Sequence, residues 1–446
     1  MQIKSFCLHN LGRFKKIEAN IAPTDRVMSN ITVFIGNNGS GKTSILRALA
    51  TSLSWFVSRV RSEKGSGSPI PEEVILNNAS SAAIIVNLSN SDEQIFKWTL
   101  AKTPKGKKAL FNSELAAVSK LADEYRTRLT VDEKTNLPLL AFYPVERVVL
   151  DIPLKIKERH SFLQLDGYDN SLNQGVDFRR FFEWFRERED SENESALPQD
   201  FLDQLLATVG NDHAIWQQLE TLAASNKDRQ LTAVRTAISH FMPEFSKLRV
   251  RRKPRLHMSI DKGGQTLNVL QLSQGEKSLM ALVGDIARRL AMMNPALENP
   301  LQGDGIVLID EVDMHLHPMW QRSIIQRLTD TFPNCQFILS THSPLVISDF
   351  KDVLVYALDD GELTEIPSQY GQDANSVLLN IMDTDIRNEK INKNLHDLLD
   401  FIQDKKLEQA KALLSKLEAE LPENNIELIK ARLLLRKQEL RLAKNS

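Results

Sequence analysis

Two cysteines, Cys7 and Cys335, are all that this 446-residue chain contains, and no C-x-x-C pair occurs. That excludes a disulfide-framed secreted fold and a zinc hook of paired thiols, and it suits a reducing compartment. Also missing is any window close to the roughly 18 apolar residues of a membrane-crossing helix. The start, Met1-Gln-Ile-Lys-Ser-Phe6, has no apolar leader core and reads as a first strand. No membrane partner and a cytoplasmic location are expected. No heptad pattern persists long enough for an extended coiled coil. An excess of one charge is lacking too: 56 Lys and Arg stand against 58 Asp and Glu, a net of −2. That balance argues neither for nor against nucleic acid. The length amounts to about three domain equivalents, ample for a large core.

What is present begins with Ile31-Thr-Val-Phe-Ile-Gly-Asn-Asn-Gly-Ser-Gly-Lys-Thr-Ser44. It reads as a buried strand, a glycine-rich turn and a helix start, with the P-loop spacing Gly36-x4-Gly41-Lys42-Thr43. Gly36, Gly39 and Gly41 permit a tight turn whose successive N–H groups face phosphate oxygens. The whole segment Gly36, Asn37, Asn38, Gly39, Ser40, Gly41, Lys42, Thr43 and Ser44 is the candidate nucleotide cradle. The helix start near Lys42 adds a positive dipole end. Lys42 supplies a mobile charge for the outer phosphates, and the Thr43 hydroxyl is placed to ligate Mg²⁺.

Three downstream segments extend the pattern. Leu272-Ser-Gln-Gly-Glu-Lys-Ser278 precedes an apolar helical run, Leu279 to Met293. Gly305-Ile-Val-Leu-Ile-Asp-Glu311 is an apolar run ending in two carboxylates, and Phe337-Ile-Leu-Ser-Thr-His-Ser343 is another ending in a histidine. In this order the segments resemble the Walker A, signature, Walker B and switch-histidine motifs of ABC-type ATPases. The resemblance is to the branch that includes SMC proteins, RecF and the OLD ATPases. Ser-Gln-Gly-Glu in the signature and Asp313-Met-His-Leu-His-Pro-Met-Trp-Gln321 after Walker B are similar to that branch rather than to membrane transporters.

The resemblance implies ATP and Mg²⁺ as ligands. Asp310 would hold Mg²⁺ together with Thr43. Glu311 would act as general base on the attacking water, and His342 would stabilise charge on the γ-phosphate. Ser273, Gln274, Gly275 and Glu276 would form a second anion site at a helix start. In this family that site faces nucleotide held by another subunit, so a homodimer sandwiching ATP is implied. Asp313, His315 and His317 bring three potential metal ligands together, but their spacing suits a loop at a subunit contact better.

The fold class expected is α/β: an ABC-type P-loop NTPase head over residues 1–385, followed by a C-terminal helical docking or oligomerisation segment over residues 386–446. Ala82 to Leu100 alternates like antiparallel strands of a β lobe. Leu139 to Arg147 reads as a strand ending at Pro144, with no identifiable Q-loop glutamine after it. A helical insertion is expected over residues 176–245. There Phe178, Phe181, Phe182 and Phe185 share one face, as do Leu231, Val234, Ala237 and Phe241. Lys105, Lys107 and Lys108, and Arg249, Arg251, Arg252, Lys253 and Arg255, form basic clusters. Each suits either a solvated face or DNA phosphates.

Toward the end, Asp383-Thr-Asp385 is a D-x-D with no strand leading into it, which does not fit a nuclease metal site, so no intrinsic nuclease domain is expected. Leu407 to Leu421 and Ile426 to Leu442, broken at Pro422, look like one tetratricopeptide-style hairpin. One such repeat cannot bury its own face, so it is expected to pack on the head, another subunit or a partner. With Tyr370-Gly-Gln-Asp-Ala-Asn-Ser-Val-Leu378 leading to Arg387, the chain resembles the PtuA-like ATPases of Septu and retron-linked anti-phage systems. That resemblance implies a regulatory ATPase whose partner is an HNH-type nuclease, with DNA engaged through the complex. The alternatives are a RecF- or SMC-like repair clamp that grips DNA itself, and, less compatibly, a transporter ATPase.

Overall fold

The computed structural model describes residues 1–145, 162–173, 176–195, 227–381, 387–422 and 424–444. Within them the chain divides into two compact units, Met1–Gln372 and Asp373–Ser446. The division thus falls ahead of the residue 385 expected from sequence. The helix Ala374–Ile381, which carries part of the Tyr370–Leu378 segment, belongs with the C-terminal unit. Asp383 and Asp385 lie outside the described residues.

The first unit is built on a six-stranded sheet in the order β13-β12-β3-β11-β10-β6. Its inner strands are β3 (Ile31–Gly36), β10 (Gly305–Ile309) and β11 (Cys335–Thr341), flanked by β6 (Leu139–Tyr143) and β12 (Leu354–Asp359). These pair in parallel, and β13 (Glu362–Ile366) closes one edge antiparallel. Every residue of β3, β6, β10 and β11 is buried. Continuous apolar runs are what a parallel sheet covered on both faces demands. The phosphate-loop, Walker B and histidine strands lie side by side, so their carboxyl ends open together, where an open α/β sheet carries its ligands.

The antiparallel lobe is a second sheet, β2-β1-β4-β5, formed by β1 (Gln2–Leu11), β2 (Phe14–Asn20), β4 (Ala82–Ser89) and β5 (Ile95–Lys102). Gln336 of β11 fastens the two sheets: its amide accepts from the Ile3 N–H (2.8 Å) and donates to the Ile3 and Ala22 carbonyls. A three-stranded sheet, β7 (Phe245–Arg251), β8 (His257–Lys262) and β9 (Gln265–Asn268), leads into the signature. Only part of the second basic cluster therefore lies on a strand.

Helix α1 (Lys42–Arg61) follows the phosphate loop, and α2 (Ala116–Val131) packs beside it. Of the expected insertion, α3 (Phe178–Ser195) and α4 (Arg229–Phe241) are described. Both apolar stripes are core: Phe178, Phe181, Phe182, Phe185, Leu231, Val234, Ala237 and Phe241 are all buried. Both helices pack on α5 (Gln274–Met293), the helix that opens with the signature and is buried from Leu279 to its end. Helix α6 (Pro318–Thr331) and the short α7 (Pro344–Ser348) complete the unit.

In the C-terminal unit, α8 (Ala374–Ile381) precedes α9 (Glu389–Gln403), α10 (Leu407–Glu420) and α11 (Ile426–Lys444). Leu395, Leu398 and Ile402 of α9 join Ala410, Leu414 and Leu417 of α10 and Leu428, Ala431 and Leu435 of α11 in one core. The α10–α11 hairpin thus buries a face without a second repeat, because α9 supplies the third wall.

Candidate functional site

The nucleotide cradle forms where β3 turns into α1. Gly36 ends the strand, Asn37, Asn38 and Gly39 are exposed, and Ser40 is buried. Gly41 precedes the helix at φ 111°, and a Cβ there would sit 2.3 Å from Phe14 Cζ. The loop is shaped by the absence of that atom. The helix start has no side-chain cap and no acidic residue in its first turn, so its N–H groups and dipole end are open to an anion. The buried Ser40 hydroxyl has no hydrogen-bond partner among the described residues. An orphaned donor in a glycine-shaped loop is what a bound phosphate would satisfy.

Lys42 is 5% exposed. Its amine donates to the Gly36 carbonyl (2.7 Å) and the Asn37 carbonyl (3.1 Å). Burial pushes it down to about 8, against the pull of Glu311, Asp310 and Asp313. Asp310, wholly buried, follows β10 directly; its carboxylate accepts from the Ser340 hydroxyl, and its N–H donates to the Tyr143 carbonyl (2.9 Å). Glu311 takes φ 46°, which swings its side chain out of the strand's alternation, and its N–H donates to Ser340 Oγ (2.8 Å). His342 Nε2 stands 3.5 Å from Glu311 Oε1. Burial and the Lys42 charge lower His342 below the ordinary imidazole value, with Glu311, Asp313 and Asp310 opposing. One phosphate-loop cation, two carboxylates and an imidazole thus converge from three adjacent strands. Such a set can hold polyphosphate, ligate a hard cation and move a proton.

Thr43 and Ser44 are half-buried and line a cavity of about 650 Å³ with Gly12, Arg47, Val74 and Phe142. It runs along the flank of α1.

The signature residues are positioned elsewhere. Ser273 caps α5, its hydroxyl accepting from the Glu276 N–H (3.3 Å), while the Glu276 carboxylate accepts from the Ser273 N–H (2.8 Å). Lys262 of β8 pairs with Glu276. Gln274 and Gly275 open the first turn, and a Cβ on Gly275 would lie 2.3 Å from the His315 carbonyl oxygen. The signature therefore abuts the loop after Walker B. That loop is held by Asp313, which accepts from the Thr341 hydroxyl, and by Gln321, which donates to the Leu316 carbonyl (3.0 Å). His317 caps α6, its Nδ1 accepting from the Met319 N–H (3.3 Å).

Sequence reasoning missed a buried cluster on α5. Asp285, Arg288 and Arg289 are all within the core. Asp285 pairs with Arg288 (2.6 Å) and Arg289 (2.7 Å) and accepts from the Tyr143 hydroxyl (3.0 Å). Burial pushes the carboxyl upward, yet Arg289 and Arg288 hold it below its usual range. Arg289 also donates to the Gly167 carbonyl (2.6 Å). Tyr143 thus touches Walker B through its carbonyl and the signature helix through its hydroxyl. The signal available was three charged residues at i, i+3 and i+4 inside an otherwise apolar helix. The stretch after β6, where a Q-loop glutamine was sought, falls largely in residues 146–161, outside the described ones.

Comparison with known proteins identifies the family. Residues 31–348 match the family described as "AAA domain, putative AbiEii toxin, Type IV TA system". The chain is 33% identical over 413 residues to "Retron Vc95 probable ATPase" of Vibrio cholerae serotype O1 biovar El Tor, covering 86% of this chain and 79% of that protein. It is 34% identical over 393 residues to "Retron Ec83 probable ATPase" of Escherichia coli, 80% and 72% of the two. The chain belongs to the AAA-domain ATPases of this retron and Septu group. A shorter match, 39% over 113 residues, covers 24% of this chain and 15% of "Septu protein PtuA" of Bacillus mycoides (strain KBAB4). Among solved structures, the Smc head domain bound to the C-terminal domain of ScpA from Pyrococcus furiosus is 15% identical, with a TM-score of 0.45 over 82% of this chain and 96% of that one. No described helix is long and apolar enough to cross a membrane.

Proposed function

We propose that this retron- and Septu-type ATPase is the regulatory subunit of a cytoplasmic anti-phage defence complex, dimerising around ATP and controlling a partner HNH-type nuclease that acts on DNA. The observation that carries the reading is the open phosphate loop, with its orphaned Ser40 hydroxyl and buried Lys42, facing Asp310, Glu311 and His342. The retron and PtuA relatives supply the defence setting.

In this reading Gly36 to Ser44 wrap the phosphates and Lys42 leaves its two carbonyl partners for phosphate oxygens. The cavity beside Thr43 and Ser44 seats the nucleoside end. Thr43 and Asp310 would hold Mg²⁺, which when bound neutralises phosphate charge. Glu311 takes the proton of the attacking water. His342, held below the ordinary imidazole value by burial and by Lys42, donates toward the terminal phosphate. Ser273 to Glu276 meet the nucleotide of a second copy, as the isologous arrangement requires. The test is to purify the chain with ATP from its native operon. A co-purifying nuclease whose DNA cleavage changes with Lys42→Ala or Glu311→Gln is expected. The chain arriving alone and inert toward cleavage overturns the reading.

A second reading, direct DNA binding as a clamp, is favoured by one observation. Arg249, Arg251, Lys253 and Arg255 are exposed at edge strand β7 and just beyond it, whereas Arg252 is committed to Asp190. Duplex binding by the isolated chain only with ATP, lost on charge reversal at Arg249 and Arg251, would establish it.

A further inference from the structure

Helix α11 has two opposed apolar faces. Leu428, Ala431 and Leu435 are buried in the core of the C-terminal unit. At 3.6 residues per turn, Ile426, Ile429, Leu433 and Leu440 fall on the other side, within an arc of about 60°. They are exposed by 67%, 42%, 66% and 60%. Their spacing of three, four and seven residues is that of a helix–helix seam rather than of scattered surface leucines.

Cations border this seam on both flanks. Arg432 and Arg436 lie along one side, and Lys430, Lys437 and Arg441 along the other. Toward the helix start they are committed, Arg432 to Glu418 and Lys430 to Glu427. Toward the end, Arg436, Lys437 and Arg441 are exposed, form no ion pair among the described residues, and line one shallow groove with Leu433 and Leu440. The helix's two acids, Glu427 and Glu439, are engaged by Arg387 and Lys411.

This charge pattern selects the occupant. A second copy of α11, parallel or antiparallel, would bring cations against cations along the flanks, where the sign of facing charges sets partner choice. An interfacial membrane helix carries a strongly polar face opposite its apolar one, whereas the face of α11 opposite this seam is Leu428, Ala431 and Leu435, packed in the core of the unit. We infer that α11 is the docking surface for an amphipathic helix of a different protein, one whose apolar stripe is bordered by aspartate and glutamate. The mode is helix against helix, anchored at i, i+3 and i+7. It goes beyond the ATPase reading and involves no nucleotide.

The test uses the full chain and two synthetic helices with identical leucine seams, one flanked by glutamates and one by lysines. The acidic peptide is expected to bind, more weakly as salt rises, and to lose about tenfold or more in affinity on combined Arg436→Glu, Lys437→Glu and Arg441→Glu. These three side chains are exposed, and unchanged thermal unfolding of the triple variant would show that the unit is intact. Lys42→Ala should bind the acidic peptide as the parent does, which separates this inference from the ATPase reading. Equal binding of both peptides overturns the inference. So does binding to phosphatidylglycerol–phosphatidylcholine vesicles in place of the acidic peptide, or self-association abolished by Leu433→Glu with Leu440→Glu.

Discussion

Two helix starts in the head are candidate anion sites, and they are finished differently. Helix α1 begins at Gly41 with no capping side chain, no acid in its first turn and a buried Ser40 hydroxyl that lacks a partner among the described residues. Helix α5 begins at Ser273 with a complete capping box, an acid at Glu276 and a lysine holding that acid. The first start is left open; at the second, the Ser273 and Glu276 N–H groups are satisfied by the helix's own residues. A helix dipole favours negative charge at either start, but at α5 the position is already taken by Glu276. Under the function proposed above, the difference implies an order of binding: phosphate enters at α1 in the single chain, and α5 meets phosphate when a second copy presents it.

The largest effect expected is at the open site. Glu311→Gln should lower ATP turnover by about 10²–10⁴-fold, the range of a lost general base, while fluorescent-nucleotide titration shows binding retained. Light scattering should then find an ATP-dependent dimer that persists; a variant as dissociable as the parent would count against the second-copy role of α5.

Next in size is Asp285→Ala. It strands two buried arginines, and breaking such a cluster costs about 3–5 kcal/mol, to be read from urea unfolding. A loss well under that would mean the arginines find other partners.

A pH series ranks third. In the free protein the Lys42 amine is down to about 8, so it carries full charge below that pH and loses it above. Phosphate binding favours the charged form, so ATP affinity should fall as pH rises through about 8, at most tenfold per unit. Calorimetric titration checks it, and flat affinity from neutrality upward would show that the amine is not what holds phosphate.

The smallest effect sharpens the comparison itself. Ser273→Ala removes a cap worth about 1 kcal/mol and should leave ATP binding by the single chain within error. If that binding weakened substantially, the two helix starts would not be independent.

Much of this site is legible in the sequence because its chemistry sits in contiguous motifs. Lys42, Asp310 and His342 each follow an apolar strand, and strands of that character align in a parallel sheet with their ends together. The Phe178 and Leu231 stripes are readable as core from helical spacing alone. Other features depend on partners distant in sequence. Tyr143 and Asp285 meet only because β6 lies beside the signature helix, and nothing local to either residue shows it. His317 has the spacing of one of three metal ligands, yet it stands immediately before a proline at a helix start and serves as a cap. The C-terminal hairpin taken alone needs an outside wall, and its own spacing does not reveal that Leu395, Leu398 and Ile402 fold back as that wall. The boundary at Gln372 is hidden for a related reason: α8 groups by packing with the C-terminal helices, although its sequence runs on from the head without a break.

The contact between Gly275 and the His315 carbonyl sets a condition on timing. With so little room between them, a turn of the α5 start toward an incoming anion would push on the loop that follows Asp310 and Glu311. In the proposed dimer, a second copy pressing on one would press on the other, as two meshed teeth share one rotation. On that proposal, commitment of the signature and adjustment of the hydrolytic centre would be a single event.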